Sequence, residues 1–185
     1  MKNLLQTSAA VAALVLATSA FANVKNEPGY VDFGKFTAEK GETFVEVNVP
    51  SALIKFAAKV SSKQEPEAAE LLANIKHVRV NVFGTNDRNR EETLARMNSV
   101  REELAGKGWE RIVTAQDKGD DVAVFTKLNA DETIEGLVVT VMDKGGEAVF
   151  VNVVGRIEAE QLAKLAENLD IEPLRKVKVK VSSKS

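Results

Sequence analysis

The sequence predicts an α+β fold, a single layered domain with helices packed on a mainly antiparallel sheet. Four strand-like runs follow one another at hairpin spacing, at 109–115, 122–127, 134–142 and 148–154. Turn-forming residues join these runs, as in a meander. Just before them, apolar residues recur at helical steps of three and four, at Leu94, Met97, Val100 and Leu104. Helices and hairpins are therefore segregated along the chain, which indicates the α+β class.

The first strand is predicted at 44–49, where valines alternate with polar residues. Pro50 ends this strand, and Ser51 is the predicted N-cap of a helix. That helix carries an apolar stripe of the kind that faces a core, formed by Leu53, Phe56, Ala57 and Val60. A second short helix is predicted from Pro66, with Ala68, Leu71, Leu72 and Ile75 as its apolar residues.

The centre of the chain alternates most strictly. In the strand predicted at 77–83, Val78, Val80 and Val82 face one way, and polar residues with Phe83 face the other. Asn89 and Glu92 have capping-box spacing at the start of the next helix.

The later elements are predicted by glycines and by continuous apolar runs. Gly106 and Gly108 end the long helix, because a left-handed position favours glycine. The last two strands are apolar on both faces and are expected to lie centrally. A final helix is predicted from the apolar spacing of Leu162, Leu165, Ala166 and Leu169. Strand order beyond the sequential hairpins stays open.

The first 22 residues predict an export signal. Lys2 gives a positive start, an uncharged apolar run follows, and Ala20-Phe21-Ala22 provides the small residues that a signal peptidase recognises. The run is shorter than the roughly 20 apolar residues that cross a bilayer. We therefore expect cleavage after Ala22 and a soluble protein in the periplasm.

Four segments divide the chain. They are a signal peptide at 1–22, an extended aromatic arm at 23–41, an α+β domain at 42–171 and a basic C-terminal tail at 172–185. The whole chain carries 25 basic and 27 acidic residues, and removal of Lys2 with the signal leaves a net charge of about −3. That balance argues against nucleic acid as a partner. With no cysteine, thiol and disulfide chemistry are excluded.

The single histidine, His77, is the residue that suggests chemistry first. A metal site would need further His or Cys ligands, and a catalytic triad would need a nucleophile and an orienting carboxylate. We predict that His77 is a surface or edge residue. Glu135 lies near the start of an apolar strand, where exposure costs little, so a catalytic role is not favoured. We assign no catalytic, metal-binding or cofactor-binding residue.

Two segments carry candidate contacts to a protein partner. In the arm these are Tyr30, Phe33 and Phe36, which either pack on their own domain, the favoured alternative, or anchor another protein. In the tail they are Lys176, Lys178 and Lys180. Contact with anionic lipid or an acidic partner is one interpretation of the tail. A lysine-bearing edge strand or frayed end is the favoured alternative.

Five segments together resemble the domain of unknown function 4252 family, whose members are small exported bacterial proteins. They are PGYVDFG (28–34), VRVNVFG (78–84), GWERIV (108–113), IEGLVVTVMD (134–143) and EAVFVNVVGRI (147–157). The resemblance runs along essentially the whole chain after the signal and implies no activity. Members often carry an acidic residue where Arg156 stands, which argues against a metal site there.

Three hypotheses about function remain. The leading one is a non-enzymatic periplasmic protein that binds a partner through its arm, an exposed sheet face or its tail. The alternative is a carboxylate-dependent hydrolase or a small-ligand carrier, which would need a cleft with converging acids. A role in envelope signalling is implied only by the resemblance, because genes of this family occur beside sigma-factor regulators in some bacteria.

Overall fold

Nine helices and strands make up the regular structure of the computed structural model, which describes residues 24–35, 43–117, 119–158 and 161. In chain order they are β1 (Phe44–Pro50), α1 (Ser51–Ser61), α2 (Pro66–Asn74), β2 (Ile75–Gly84), α3 (Arg90–Gly106), β3 (Glu110–Asp117), β4 (Asp120–Leu128), β5 (Ile134–Met142) and β6 (Glu147–Ile157). Among the described residues, no helix is long and apolar enough to cross a membrane.

The six strands form one sheet in the order β1-β2-β6-β5-β4-β3, and every neighbouring pair is antiparallel. With the helices, this sheet confirms the predicted α+β fold. The two strands that are apolar on both faces, β5 and β6, occupy the centre of the sheet as predicted. The pairing of β2 with β6 closes a long loop of chain that contains α3 and the β3–β4–β5 meander.

One face of the sheet is covered by α3 and by the arm residues 24–35. The helix contributes Met97, Val100 and Leu104, which are buried as the helical spacing predicts. They pack with Phe125 and Phe150 of β4 and β6. Gly108 follows α3 with a φ of +72°, which agrees with its predicted helix-ending role.

The opposite face, called here the valine face, carries two rows of aliphatic side chains that run across all six strands. The strand register aligns Val45, Val82, Val149, Val141, Val122 and Ala115 in the first row. It aligns Val47, Val80, Val151, Val139, Val124 and Val113 in the second. Side chains two residues apart in a strand share a face, so the two rows are adjacent.

Helices α1 and α2 pack at one end of the valine face, where Ile54 of α1 joins Ile75, Ile134 and Ile157 in a buried cluster. The residues of α1 that turn inward are Ile54 and Ala58. The predicted core stripe is therefore wrong in orientation, since Leu53, Phe56 and Val60 are exposed and Ala57 is only partly buried. The apolar residues of α1 cover more of its circumference than the sheet and α2 can bury.

The predicted helix caps also differ from the structure. Ser51 is the first residue of α1, with Pro50 before it, and neither Pro50 nor Asn89 makes a side-chain capping bond. The Asn89 amide instead accepts from the Asn86 N–H at 2.7 Å and donates to the Gly84 carbonyl at 3.1 Å. The Asn89 side chain therefore fixes the loop before α3. Ile75, predicted in the second helix, begins β2.

Several predictions fall outside the described residues. These are the signal peptide at 1–22, Phe36 of the arm, the apolar residues of the final helix and the tail lysines Lys176, Lys178 and Lys180.

Candidate functional site

The arm is fixed to the centre of the sheet by Asn152 of β6. The Val31 N–H donates to Asn152 Oδ1 at 3.0 Å, and Asn152 Nδ2 donates to the Gly29 carbonyl at 2.9 Å. Gly29 lies so close to β5 that an added Cβ would overlap the Glu135 carbonyl. The arm therefore behaves as part of the domain.

The two described aromatic residues of the arm pack on their own domain. Phe33 is buried, with its ring centroid 5.5 Å from that of Phe150. Phe33 is thus a core residue, and its assignment as a partner contact needs correction. Tyr30 is partly buried and stacks against His77, with ring centroids 6.3 Å apart and ring planes 16° apart.

His77 is buried beneath the arm, at 5% exposure, so the prediction of a surface histidine is wrong. Its Nε2 atom has no hydrogen-bond partner among the described residues. Burial lowers the pKa of His77, and the nearby positive charge of Arg79 lowers it further. Both effects favour the neutral form of the imidazole.

Arg79, two residues further along β2, connects the arm with β1. Its guanidinium lies 3.6 Å from Asp32 of the arm and 3.3 Å from Glu46 of β1. It also lies 6.0 Å from the centroid of the Phe33 ring. Asp32 and Glu46 thus both pair with an arginine, which leaves them poorly placed as general bases.

Asn81 completes the row of polar residues on β2. It is 0% exposed, and neither its Oδ1 nor its Nδ2 finds a partner among the described residues. A cavity of about 330 Å³ lies between the arm and β1–β2, and Tyr30, Glu46, His77 and Arg79 line it. The cavity thus combines an imidazole whose neutral form is favoured with a carboxylate, that of Glu46, which pairs with Arg79.

A second cavity, of about 530 Å³, lies at the end of the sheet beside Arg156. Charges of both signs line it, including Glu27, Lys76 and Glu135. Glu27 pairs with Lys76 at 2.7 Å. Among the described residues, no group of three or more His, Asp or Glu side chains is placed to hold a metal ion.

Five of the six large apolar side chains that are exposed among the described residues lie on two consecutive elements, β1 and α1, and are called here the β1–α1 surface. They are Val45, Val47, Leu53, Phe56 and Val60, and the sixth is Ile112 of β3. Phe56, the largest of the five, is 64% exposed. The valines lie on the valine face, and α1 packs on that same side of the sheet through Ile54. Sequence reasoning missed this surface, although the excess of apolar residues around α1 is a signal for it.

Comparison with known proteins gives one match. The profile of the family described as Domain of unknown function (DUF4252) matches residues 36–165, which is more than half of the chain. The match confirms the resemblance inferred from the sequence, while the arm segment at 28–34 lies outside it. No curated protein and no solved structure matches the chain.

Proposed function

Because the chain belongs to the domain of unknown function 4252 family, which is defined without an activity, we propose its function from its surface. We propose an exported, non-enzymatic binding protein of the periplasm. The β1–α1 surface binds an apolar segment of another protein.

The observation that carries this proposal is the exposure of five large apolar side chains on two consecutive elements. Leaving a Phe or Leu side chain in water forgoes roughly 1.5–3 kcal/mol relative to burial. Exposed apolar groups scattered singly are ordinary, whereas a cluster of them is typical of an interaction site. Phe56 and Leu53 supply the large side chains that commonly anchor an interface core.

A protein segment fits this surface better than a small molecule does. The surface lies on the outside of a helix and on an edge strand, whereas small ligands favour enclosed, mostly apolar pockets. β1 pairs only with β2 among the described strands and is thus an edge strand of the described sheet. A bound segment can add to such an edge through backbone hydrogen bonds and also contact the apolar side chains.

Site-specific photocrosslinking in intact cells tests the binding proposal. A photoreactive amino acid at Leu53 is expected to give an adduct with another protein, and the same group at Glu102, exposed on α3, is expected to give none. Adding Phe56→Ser should abolish the adduct at position 53. Equal adducts at both positions, or an adduct formed only with a second copy of the chain, would contradict the proposal.

A folding control separates lost binding from lost structure. Phe56→Ser is expected to leave the free energy of unfolding within about 0.5 kcal/mol, because the ring is exposed. Ile54→Ala, one helical position from the exposed stripe, is expected to cost about 2–4 kcal/mol because Ile54 is buried. The identity of the crosslinked protein then tests whether the chain acts in envelope signalling.

Export is the part of the proposal that concerns location. The positive start at Lys2, the uncharged apolar run and Ala20-Phe21-Ala22 support it. Mass spectrometry of the periplasmic fraction is expected to find a mature N-terminus at Asn23. The intact chain in the cytoplasm would contradict export while leaving the binding test valid.

A further inference from the structure

Three valines on the valine face are buried although no described helix covers them. Val113, Val124 and Val139 lie side by side on β3, β4 and β5, and Val124 is only 2% exposed. In the part of the chain that the structure describes, the apolar cluster around them contains strand residues alone. α1 and α2 pack around Ile54 at one end of this face, and α3 lies on the opposite face.

Neighbouring valines cannot by themselves bury Val124 to this extent. Side chains stand roughly perpendicular to a sheet, so neighbours in the same row shield the flanks and leave the tips open. Burial of the tips requires a further layer, as in other layered domains. Some segment of chain therefore covers β3–β5 from above.

The path of the chain at the end of β6 indicates which segment this is. Ile157, the last residue of β6, packs with Ile54, Ile75 and Ile134 on the side of the valine face. Just beyond it, the Glu158 N–H donates to Gln161 Oε1 at 3.0 Å. A side chain that returns to a backbone N–H three residues earlier is one half of a capping box, the signature of a helix start.

We propose that the chain beyond Gln161 covers the buried valines of β3–β5 as an amphipathic helix, with Leu162, Leu165 and Leu169 against the sheet. Leu162 to Leu169 spans about 10 Å at 1.5 Å per helical residue. The valine face from Leu137 to Val141 spans about 13 Å at 3.3 Å per strand residue. The three strands are about 10 Å wide at 4.8 Å per strand, which equals one helix diameter.

The chain's own segment beyond Gln161 fits the valine face over β3–β5 better than a second copy of the chain or a helix of another protein does. Its attachment to β6 holds it close to the face, and a short linker gives an effective concentration on the order of millimolar. The area to be covered is that of one helix, whereas each partner of a standard interface buries about 800 Å². The occupant proposed for the β1–α1 surface is a different protein, so the two proposals stand or fall separately.

Thiol labelling of the full mature chain tests the proposal, since the chain has no cysteine of its own. Val124→Cys is expected to react slowly with a thiol reagent, and Val47→Cys, at the exposed edge, quickly. Adding Leu165→Asp and Leu169→Asp should raise the labelling rate at position 124 at least about tenfold. The matched control Lys164→Glu, on the other side of the helix by spacing, should leave that rate unchanged.

A second measurement avoids variants that fail to fold. In the chain with Val124→Cys, a second cysteine at position 165 is expected to form an intramolecular disulfide, which requires Cβ atoms within about 4.5 Å. A cysteine at position 164 is expected to form none. A disulfide-linked dimer would show that a second copy covers the face and would overturn the proposal. The proposal would also be overturned if labelling at position 124 stayed slow after the Leu165→Asp and Leu169→Asp substitutions. Failure of positions 124 and 165 to form a disulfide would overturn it as well.

Discussion

His77, Arg79 and Asn81 lie on one face of β2, and the strict alternation of the strand predicted this common face. Their burial was not predictable, because the residues that cover them are distant in the sequence. The bond from Val31 to Asn152, for example, joins residues 121 positions apart. Polar residues in alternation normally indicate a solvated face, and only the position of the arm reverses that expectation.

The buried imidazole makes stability depend on pH in a defined direction. Because burial and then Arg79 lower the pKa of His77 below its ordinary value of 6.5, the unfolded chain binds a proton more readily than the folded chain. The stabilisation is therefore complete above pH 6.5 and decreases as the pH falls below that value. We expect urea denaturation to give a lower free energy of unfolding at pH 5 than at pH 7.5.

The variant His77→Gln separates this contribution from that of the carboxylates. Glutamine does not titrate, so the difference in unfolding free energy between the two pH values should become smaller than in the parent. An unchanged difference would contradict the assignment of the pH dependence to His77.

At the scale of elements, the two helices with clear apolar patterns behaved differently. The buried side of α3 was predicted correctly, since its apolar residues form a single narrow stripe. In α1, Leu53, Ile54, Phe56 and Val60 spread over an arc of about 160° at 3.6 residues per turn, so the pattern alone cannot choose which edge of this arc packs. Ile54 became the inward residue because α1 also packs against α2. The exposed stripe that resulted is the candidate site, which explains why sequence reasoning missed it.

Helix α3 is also attached to the sheet by a polar contact that its apolar pattern does not indicate. The two terminal nitrogens of Arg101 donate to the Asp121 carboxylate at 3.0 and 2.8 Å, and its Nε donates to Thr140 Oγ1 at 3.0 Å. Burial raises the pKa of Asp121, but the hydrogen bond and positive charge of Arg101 lower it more, so the pKa lies below its ordinary value of 3.8.

Asp121→Asn is expected to reduce the free energy of unfolding by about 2–4 kcal/mol at pH 7, because it leaves a mostly buried arginine without its counter-charge. A carboxylate whose pKa is lowered by folding stabilises the fold at pH values above its ordinary pKa. This stabilisation is lost as the pH falls through the lowered pKa. The penalty should therefore shrink in strong acid. Glu103→Gln is the matched control, since its ion pair with Lys107 is exposed and should contribute less than about 1 kcal/mol. Equal effects of the two substitutions in denaturant titrations would contradict this role of Asp121.

At the scale of the whole molecule, the strands and the three hairpin pairings among β3–β6 were predictable, and the places of β1 and β2 in the sheet were not. Continuous apolar runs placed β5 and β6 at the centre, because only a strand covered on both faces tolerates them. Alternation marks the faces of β1 and β2 but carries no information about neighbours. The order β1-β2-β6 depends on pairings such as Val82 with Val149, which close a long loop of chain. Hairpin spacing predicts only pairings between consecutive strands.

One row of the valine face provides a test of the whole sheet, because its members differ in burial but not in residue type. Val47 and Val139 lie in the same row, with Val47 42% exposed at the edge and Val139 buried near the centre. Val139→Asp is expected to unfold the domain or cost more than about 4 kcal/mol, because it buries an unpaired charge. Val47→Asp should cost less than about 1 kcal/mol.

Val138→Asp extends the same test to the other face, where Val138 packs beneath α3. It should destabilise the domain as strongly as Val139→Asp, since neighbouring residues of a central strand then face two separate covering layers. Thermal unfolding followed by circular dichroism measures all three variants. A Val139→Asp variant that melts like Val47→Asp would mean that β3–β5 lack a cover on the valine face. If Val138→Asp destabilises the domain and Val139→Asp does not, that half of the molecule consists of two layers only, the sheet and α3.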